Sequence, residues 1–407
     1  MSGCLSRSRV LDLSRIFAGP WAAQMLADFG ADVIKVERPQ RGDDVRQQGH
    51  RMKDRQGRET SETSSFLAMN RGKRSVTIDL ASPVGQDLIR RLAQESDILI
   101  ENFKAGDLRR YGLDYETLSR ANPRLVYCSI TGFGQSGPYS HLPGYDPIFQ
   151  SMSGLMSVTG NPDDEPGGGP QKVGYSIADI TAGLYASIAI LAALNYRDTV
   201  SGRGQYIDLA LLDAQVAAMS HVAMNYLVSG RLQERMGTAS PITCPWQTFK
   251  CAEGDITIAV GNDPQFVRFC EVLGKPALAG DPRFSTNPMR AKNRRTLVPM
   301  LEEALLKRSA RKWYEAFEAA GVPSGPTYDF RQVFEDPQIR HRELLTEMAH
   351  PLAGAVPMVA NPIKFSDTPI EYRRPPPLLG EHTREVLREV LRLDEPAIDA
   401  LAQQGAI

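Results

Sequence analysis

The stretch RVLDLSRIFAGPWAAQMLADFGADVIKVERP, residues 9–39, constrains the fold more than any other in this chain. It runs from an apolar segment, Val10–Leu13, through a turn at Gly19-Pro20 and a helical stretch into DVIKVE. That is a β-α-β unit, and its strands carry adjacent apolar residues, such as Val10-Leu11 and Val33-Ile34, rather than a strict alternation, as in a parallel sheet covered on both faces. The pattern recurs. SVTIDL (75–80) precedes a helix starting near Ser82-Pro83, SDILIENF follows it, and RLVYCSITGFG comes after a helix that ends near Asn122. Alternating strand and helix predicts a doubly wound, Rossmann-like α/β domain. GQYIDLALLDAQVAAMSHVAMNYLVSG then reads as a strand followed by one long helix reaching Gly230.

At 407 residues the chain exceeds one ordinary core. The expected layout is 1–225 as the first part of a large α/β domain, 226–330 as a smaller α+β domain, and 331–407 returning to the large one. In the middle region, short strands (QTFKCAEGDITIAVG) mix with charged helices. The final segment, YRRPPPLLGEHTREVLREVL, pairs a proline-rich extended stretch with a helix.

A formal net charge of −1 supplies no global field for nucleic acid or an anionic membrane. The longest apolar run, Leu184–Leu194, falls short of the roughly 20 residues of a membrane span and reads as a buried helix. The N-terminal residues carry no apolar core of the kind a secretory signal needs, so a cytoplasmic protein is expected. Five cysteines form no C-x-x-C pair and read as reduced, structural thiols. No G-x-x-x-x-G-K-[ST] occurs, no G-x-G-x-x-G follows the first strand, where the turn reads LSRIFAGP instead, no H-x-x-H or H-E-x-x-H occurs, and no serine sits in a G-x-S-x-G elbow. Nucleotide-cofactor, zinc and serine-hydrolase chemistry are thereby disfavoured, and no metal site is expected.

One carboxylate stands out. Asp179 heads the small, apolar run VGYSIADITAGLYASIAILAAL and follows Ser176 by three, which fits a capping box. The same position admits a second role, because a helix start stabilises negative charge, and a carboxylate attacks a thioester without a general base. Basic residues border predicted strands at Arg38, at Arg71, Lys73 and Arg74, and at Arg109-Arg110, where α/β sheets bind ligands. Solvated charge explains any one of them; together they would suit a ligand with several phosphates.

VLDLSRIFAGPWAAQMLADFGADVIKVERPQRGDD, NRGKRSVTIDL, ILIENFKAGDLRRYGLDYE, SITGFGQSGPYSHLPGYD, SIADITAGLYASIAILAAL and PPPLLGEHT resemble the signature blocks of the class III CoA-transferases, the group of formyl-CoA:oxalate CoA-transferase and the CaiB and BaiF proteins. Within it, YCSITGFGQSGP, SGLMSVTG, SHVAMNYLVSG, PQFVRFCEVL and RPPPLLGEHT resemble the branch serving succinyl-CoA and glutarate. The resemblance implies a large domain built from both chain ends, a smaller central domain and an interlocked homodimer. It also implies CoA transfer from an acyl-CoA to a free dicarboxylate, with CoA thioester as substrate and no tightly bound cofactor. It makes Asp179 the covalent nucleophile. It places CoA contacts at Ile16, Arg38, Ile78, Asn102, Phe103 and Arg110, with Lys73 and Arg74 near the phosphates.

Racemases of the family use a histidine in G-H-D, where this chain has Gly144-Tyr145-Asp146. A phenol, titrating near 10 in model peptides, suits proton abstraction poorly, which favours transfer. Tyr145 and Asp146 are expected at the acceptor, and Arg15 or Arg46 at its distal carboxylate, since a guanidinium pairs with a carboxylate bidentately. After GDDVR, relatives often continue W-G-P-P, but this chain has a hydrophilic loop, 47–65. Gly237–Trp246 is the candidate lid. The rivals are an α-proton isomerase of the racemase type and a catalytically silent acyl-CoA-binding protein.

Overall fold

The computed structural model describes residues 3–407. Six strands form one fully parallel sheet: β1 (Arg9–Asp12), β2 (Asp32–Glu37), β5 (Lys73–Thr77), β6 (Ile98–Glu101), β7 (Val126–Thr131) and β8 (Tyr206–Ala210), in the order β5-β2-β1-β6-β7-β8. The order reverses between β1 and β6, so the loops leaving those neighbours diverge and open a crevice at their carboxyl ends. The hydrophilic 47–65 loop is an antiparallel hairpin, β3 (Arg51–Lys53) with β4 (Glu59–Thr63).

Both faces of the sheet are buried, as continuous apolar strands require. On one face Val10, Val33, Ile98 and Ile130 pack against α1 (Ala18–Asp28) and the small residues Ala178, Ala182 and Ala186 of a long helix. On the other, Leu11, Ile34 and Leu99 meet α2 (Pro83–Gln94), α3 (Tyr115–Ala121) and the C-terminal helix Thr383–Glu389. Ser82 starts α2 by accepting the Gly85 amide, with Pro83 at the first helical position. The remaining helices around the site are α4 (Asp146–Met152), α5 (Ile177–Tyr196) and α6 (Leu211–Ala218).

The chain divides into two compact units. The first holds the residues up to Ser153, Gly174–Ser220 and Gln338–Ile407; the second holds Gly154–Val173 and His221–Pro337. Residues 154–173, expected in the large domain, therefore belong with the second unit. That unit has a three-stranded antiparallel sheet, β11-β10-β9 (Ser324–Pro326, Asp255–Ala259, Trp246–Lys250), over a core that includes Phe266, Phe269, Trp313 and Phe317. The single long helix expected up to Gly230 is instead two, α6 and Ser220–Ser229, and the unit boundary falls at the second one's start.

The run Leu184–Leu194 is not a fully buried helix. Residues 177–201 form one continuous helical stretch whose most apolar 18-residue window has a mean hydropathy of 1.9, long and apolar enough to cross a membrane by length and composition alone. One face packs on α1 and the sheet, while Leu184, Tyr185, Ile188 and Tyr196 remain exposed.

Candidate active site

The crevice at the β1–β6 reversal is a cavity of about 290 Å³, and the chemistry-bearing side chain in its wall is Asp179. Three loop segments line it with Asp179: Arg15–Ile16 after β1, Asn102–Phe103 after β6, and Thr131–Gly132 after β7; Tyr145 completes the wall. The candidate nucleophile, three of the expected CoA contacts (Ile16, Asn102 and Phe103) and one arginine that the sequence singled out are thus brought together at the position where open α/β sheets bind ligands.

The capping box does not form. Ser176 occupies the N-cap of α5, but its side chain makes no cap hydrogen bond. The cap comes from Asp146, buried at the head of α4, whose Oδ1 accepts the Ala178 amide at 2.7 Å and the Asp179 amide at 3.4 Å. Its Oδ2 accepts from Gln150 Nε2 at 2.5 Å. Asp146 therefore holds the helix start on which Asp179 sits, rather than facing the cavity as an acceptor-binding group. Burial, and then the Asp146 charge, push the Asp179 carboxyl up to about 7. Neither hydrogen bonds nor a cation counter that rise. An ordinary, well-solvated carboxylate is the expectation this corrects: burial and the neighbouring charge make the Asp179 anion more basic and less solvated.

α1 begins at the cavity with Ala18 in the wall and no side-chain cap at its start.

The basic residues divide into two groups by burial. Lys73 is fully enclosed, its ammonium donating to Asp12 at 2.8 Å and to the Pro20 carbonyl at 3.0 Å, and burial pulls it down to about 8. Arg74 is buried against Asp32, Glu385 and Glu389. Ile78 lies in the core. Arg46 is buried in ion pairs with Glu37 and Glu62, donates to the Pro377 carbonyl at 3.0 Å, and stacks 3.5 Å over Phe66. None of these residues lines the cavity that holds Asp179, and Arg74 borders a separate pocket with Arg9 and Arg374, so the expectation that Lys73 and Arg74 approach phosphates there, that Ile78 touches CoA, or that Arg46 reads a carboxylate is corrected. Arg110 is exposed, over the Tyr111 ring and 3.8 Å from Asp107.

Sequence reasoning missed a cluster at the cavity. Asp44, in the wall, gathers Arg38 at 2.5 Å, Arg41 at 3.3 Å and Arg15 at 3.6 Å. Three guanidinium groups around one carboxylate leave an excess of two positive charges, and the Nε atoms of Arg15 and Arg38 are enclosed without partners among the described residues. The available signal was R-x-x-R beside GDD, residues 38–44. A neighbouring cavity of about 470 Å³ shares Lys104, Ala105 and Ser140 with the first. Its buried acid, Glu101, already accepts the Phe103 amide at 2.8 Å. Among the described residues no group of three His, Cys, Asp or Glu side chains is placed to hold a metal ion.

The model of CoA-transferase family III matches residues 5–383. The chain belongs to CoA-transferase family III. A succinate–glutarate CoA-transferase of Agrobacterium fabrum is 46% identical over 97% of both chains. The human succinyl-CoA:glutarate CoA-transferase is 40% identical over 98% of this chain and 89% of its own. Among solved structures, a CaiB/BaiF family protein from Brucella suis superposes with a TM-score of 0.86 at 43% identity, covering 96% of this chain and all of that one. Family III membership makes the protein a CoA-transferase whose substrates are CoA thioesters and carboxylic acids, and the crevice holding Asp179 is its candidate active site.

Proposed function

We propose that this family III enzyme moves CoA from succinyl-CoA to glutarate, with Asp179 as the covalent carrier. The observation that carries the reading is Asp179 itself: desolvated, raised to about 7, and set in the cavity wall with no hydrogen-bonding partner for its carboxylate among the described residues. Identity of 40–46% over nearly the full length to enzymes named for succinate, succinyl-CoA and glutarate supports the substrate pair.

The Asp179 carboxylate attacks the donor thioester, giving a mixed anhydride and CoA thiolate. The thiolate attacks the Asp179 carbonyl carbon, releasing succinate and leaving an aspartyl-CoA thioester. Glutarate attacks that thioester, forming a second anhydride and freeing the thiolate, which attacks the glutaryl carbonyl to give glutaryl-CoA and regenerate Asp179. One thioester is consumed and one formed. The cavity is at the small end of ligand pockets, so it houses the reacting end of the thioester while the nucleotide lies outside. Arg38 and Arg41 suit its phosphates, with Asn102, Phe103, Arg110 and the Ile16 backbone lining the approach. Arg15, in the wall and 5.0 Å over the Phe103 ring, is the reader of the distal carboxylate.

Anhydrides hydrolyse, so the site needs a cover, and Gly237–Trp246 is our candidate. We further propose an interlocked homodimer in the cytoplasm. The exposed apolar face of α5, where Ile188 is 63% accessible, is the kind of surface a second copy covers.

Incubation with succinyl-CoA alone tests the reading. The peptide carrying Asp179 is expected to gain the mass of CoA, and adding labelled glutarate is expected to yield labelled glutaryl-CoA. Full transfer activity in Asp179→Asn would overturn it. Exchange of the α-proton of a 2-methylacyl-CoA without an acceptor acid would establish the racemase reading instead.

A further inference from the structure

Ile16 has φ of +70°, a left-handed conformation that a β-branched residue adopts only when its surroundings impose it. The surroundings do so through side chains. Ser14 donates its amide to Asp12 Oδ1 at 3.0 Å and accepts from Lys35 Nζ at 3.0 Å. Asn102 reaches across from β6, accepting the Arg15 amide at 2.8 Å and donating to the Arg15 carbonyl at 2.7 Å. The Ile16 amide is taken by Asp43 Oδ1 at 3.1 Å. Five consecutive backbone groups of a turn in the cavity wall are thus held by side chains from three strands or their following loops.

Asp43 is the member of this set that touches the strained residue. Its side chain is fully buried, its Oδ2 is fixed by the equally buried Lys35 ammonium at 2.9 Å, and its amide donates to Glu37 at 3.0 Å. It does not line the cavity. We propose that Asp43, oriented by Lys35, is a positioning residue that holds Ile16 left-handed and thereby sets Arg15 and Ile16 as the wall against which the acyl-CoA lies. The inference rests on the CoA-transferase reading of the cavity.

Asp43→Asn isolates the contact. A buried ammonium facing an amide selects its oxygen, so the NH₂ turns toward the Ile16 amide, donor against donor. Released, an L-residue leaves the left-handed region with a bias of about tenfold or more, whereas glycine does not. The expected result is a KM for succinyl-CoA raised about tenfold, with kcat changed less than about threefold. In chains that also carry Ile16→Gly, the same Asp43→Asn change is expected to move KM less than about threefold. Asp43 also accepts the Val45 amide at 3.1 Å, but a role confined to that turn predicts the same loss in both backgrounds. Equal losses, or an unchanged KM in Asp43→Asn, overturn the proposal. Should Asp43→Asn fail to fold, Ile16→Pro decides: it fixes φ near −65° with Asp43 intact, and a wild-type KM in that chain overturns the proposal. If the wild-type chain transfers no CoA to glutarate, the substrate assignment fails separately. Calorimetric titration of the same chains with coenzyme A then reads the positioning directly, as a tenfold weaker Kd in Asp43→Asn or its absence.

Discussion

Asp146 caps the helix that carries Asp179, and the two carboxylates share one helix start: Asp146 Oδ1 accepts the amides of Ala178 at 2.7 Å and of Asp179 at 3.4 Å. The favourable end of the α5 dipole is thereby occupied by a residue that does not react, while its charge adds to the burial that raises Asp179. Asp146→Asn removes that charge and keeps an acceptor for the cap. The acid limb of kcat/KM, which reports the free enzyme, is expected near pH 7 in the wild type and displaced to lower pH in the variant. It stays above the ordinary carboxylate value of about 4, because burial is the larger cause and persists. An acid limb that does not move would show that the two carboxylates are uncoupled.

Asp179→Asn separates catalysis from stability. Transfer is expected to fall by about 10⁴-fold or more, as loss of a covalent carrier should. Folding should respond in the opposite direction. The folded-state carboxyl titrates near 7 and the unfolded one near 3.8, so the folded state binds more protons between these values and wild-type stability declines as pH rises through that window. Below about pH 4 both forms are protonated and the variant gains nothing. At pH 8 it is expected to be more stable by roughly 1–3 kcal/mol, a range reduced for partial exposure. Urea melts at the two pH values check the sign.

The sheet was legible because both its faces are buried: the adjacent apolar residues of Val10–Leu13 and Val126–Thr131 suit strands covered on two sides better than a strict alternation would. The start of α2 was legible because Ser82-Pro83 is a local signal. The cap of α5 was not, because Asp146 lies 32 residues before the amide it binds most closely, and a plausible local candidate, Ser176, stood in the right place. The arginines failed for a related reason. Arg38 and Arg46 are both basic residues following the same strand, and only packing shows that one faces the crevice loop while the other is enclosed with Glu37, Glu62 and Phe66. The Asp179 pattern alone was compatible with a simple cap, and it was the family blocks that gave it a role.

Arg46 and Arg15 should therefore behave oppositely. Arg46→Ala leaves Glu37 buried beside Lys35 without its principal partner and removes a stacking contact, and breaking a buried pair costs about 3–5 kcal/mol. The folded fraction is expected to show a wild-type KM for glutarate. Arg15→Gln, on a half-exposed side chain, is expected to alter stability by less than about 1 kcal/mol and to raise the glutarate KM about tenfold or more. Thermal melts and initial rates with glutarate and with a monocarboxylate of equal length distinguish the cases, since only a reader of the distal carboxylate discriminates between those acids.

Asp44 offers the least obvious prediction, because removing it should strengthen binding. Its carboxylate draws Arg38, Arg41 and Arg15 together but also offsets one of their three charges. A phosphate-bearing ligand must displace or share those contacts, so the resting ion pairs oppose association. Asp44→Asn keeps the size and a hydrogen-bond acceptor while raising the local excess from two positive charges to three. Coenzyme A is expected to bind about three- to tenfold more tightly at low ionic strength. The affinity should fall more steeply with added salt, because screening acts on a larger net charge. If Asp44 instead serves mainly to orient the arginines, the guanidinium groups splay apart in the variant and affinity falls at every salt concentration. Calorimetric titrations at 20 mM and 200 mM salt, chosen so that the Debye length changes from roughly 20 to 7 Å, separate these outcomes.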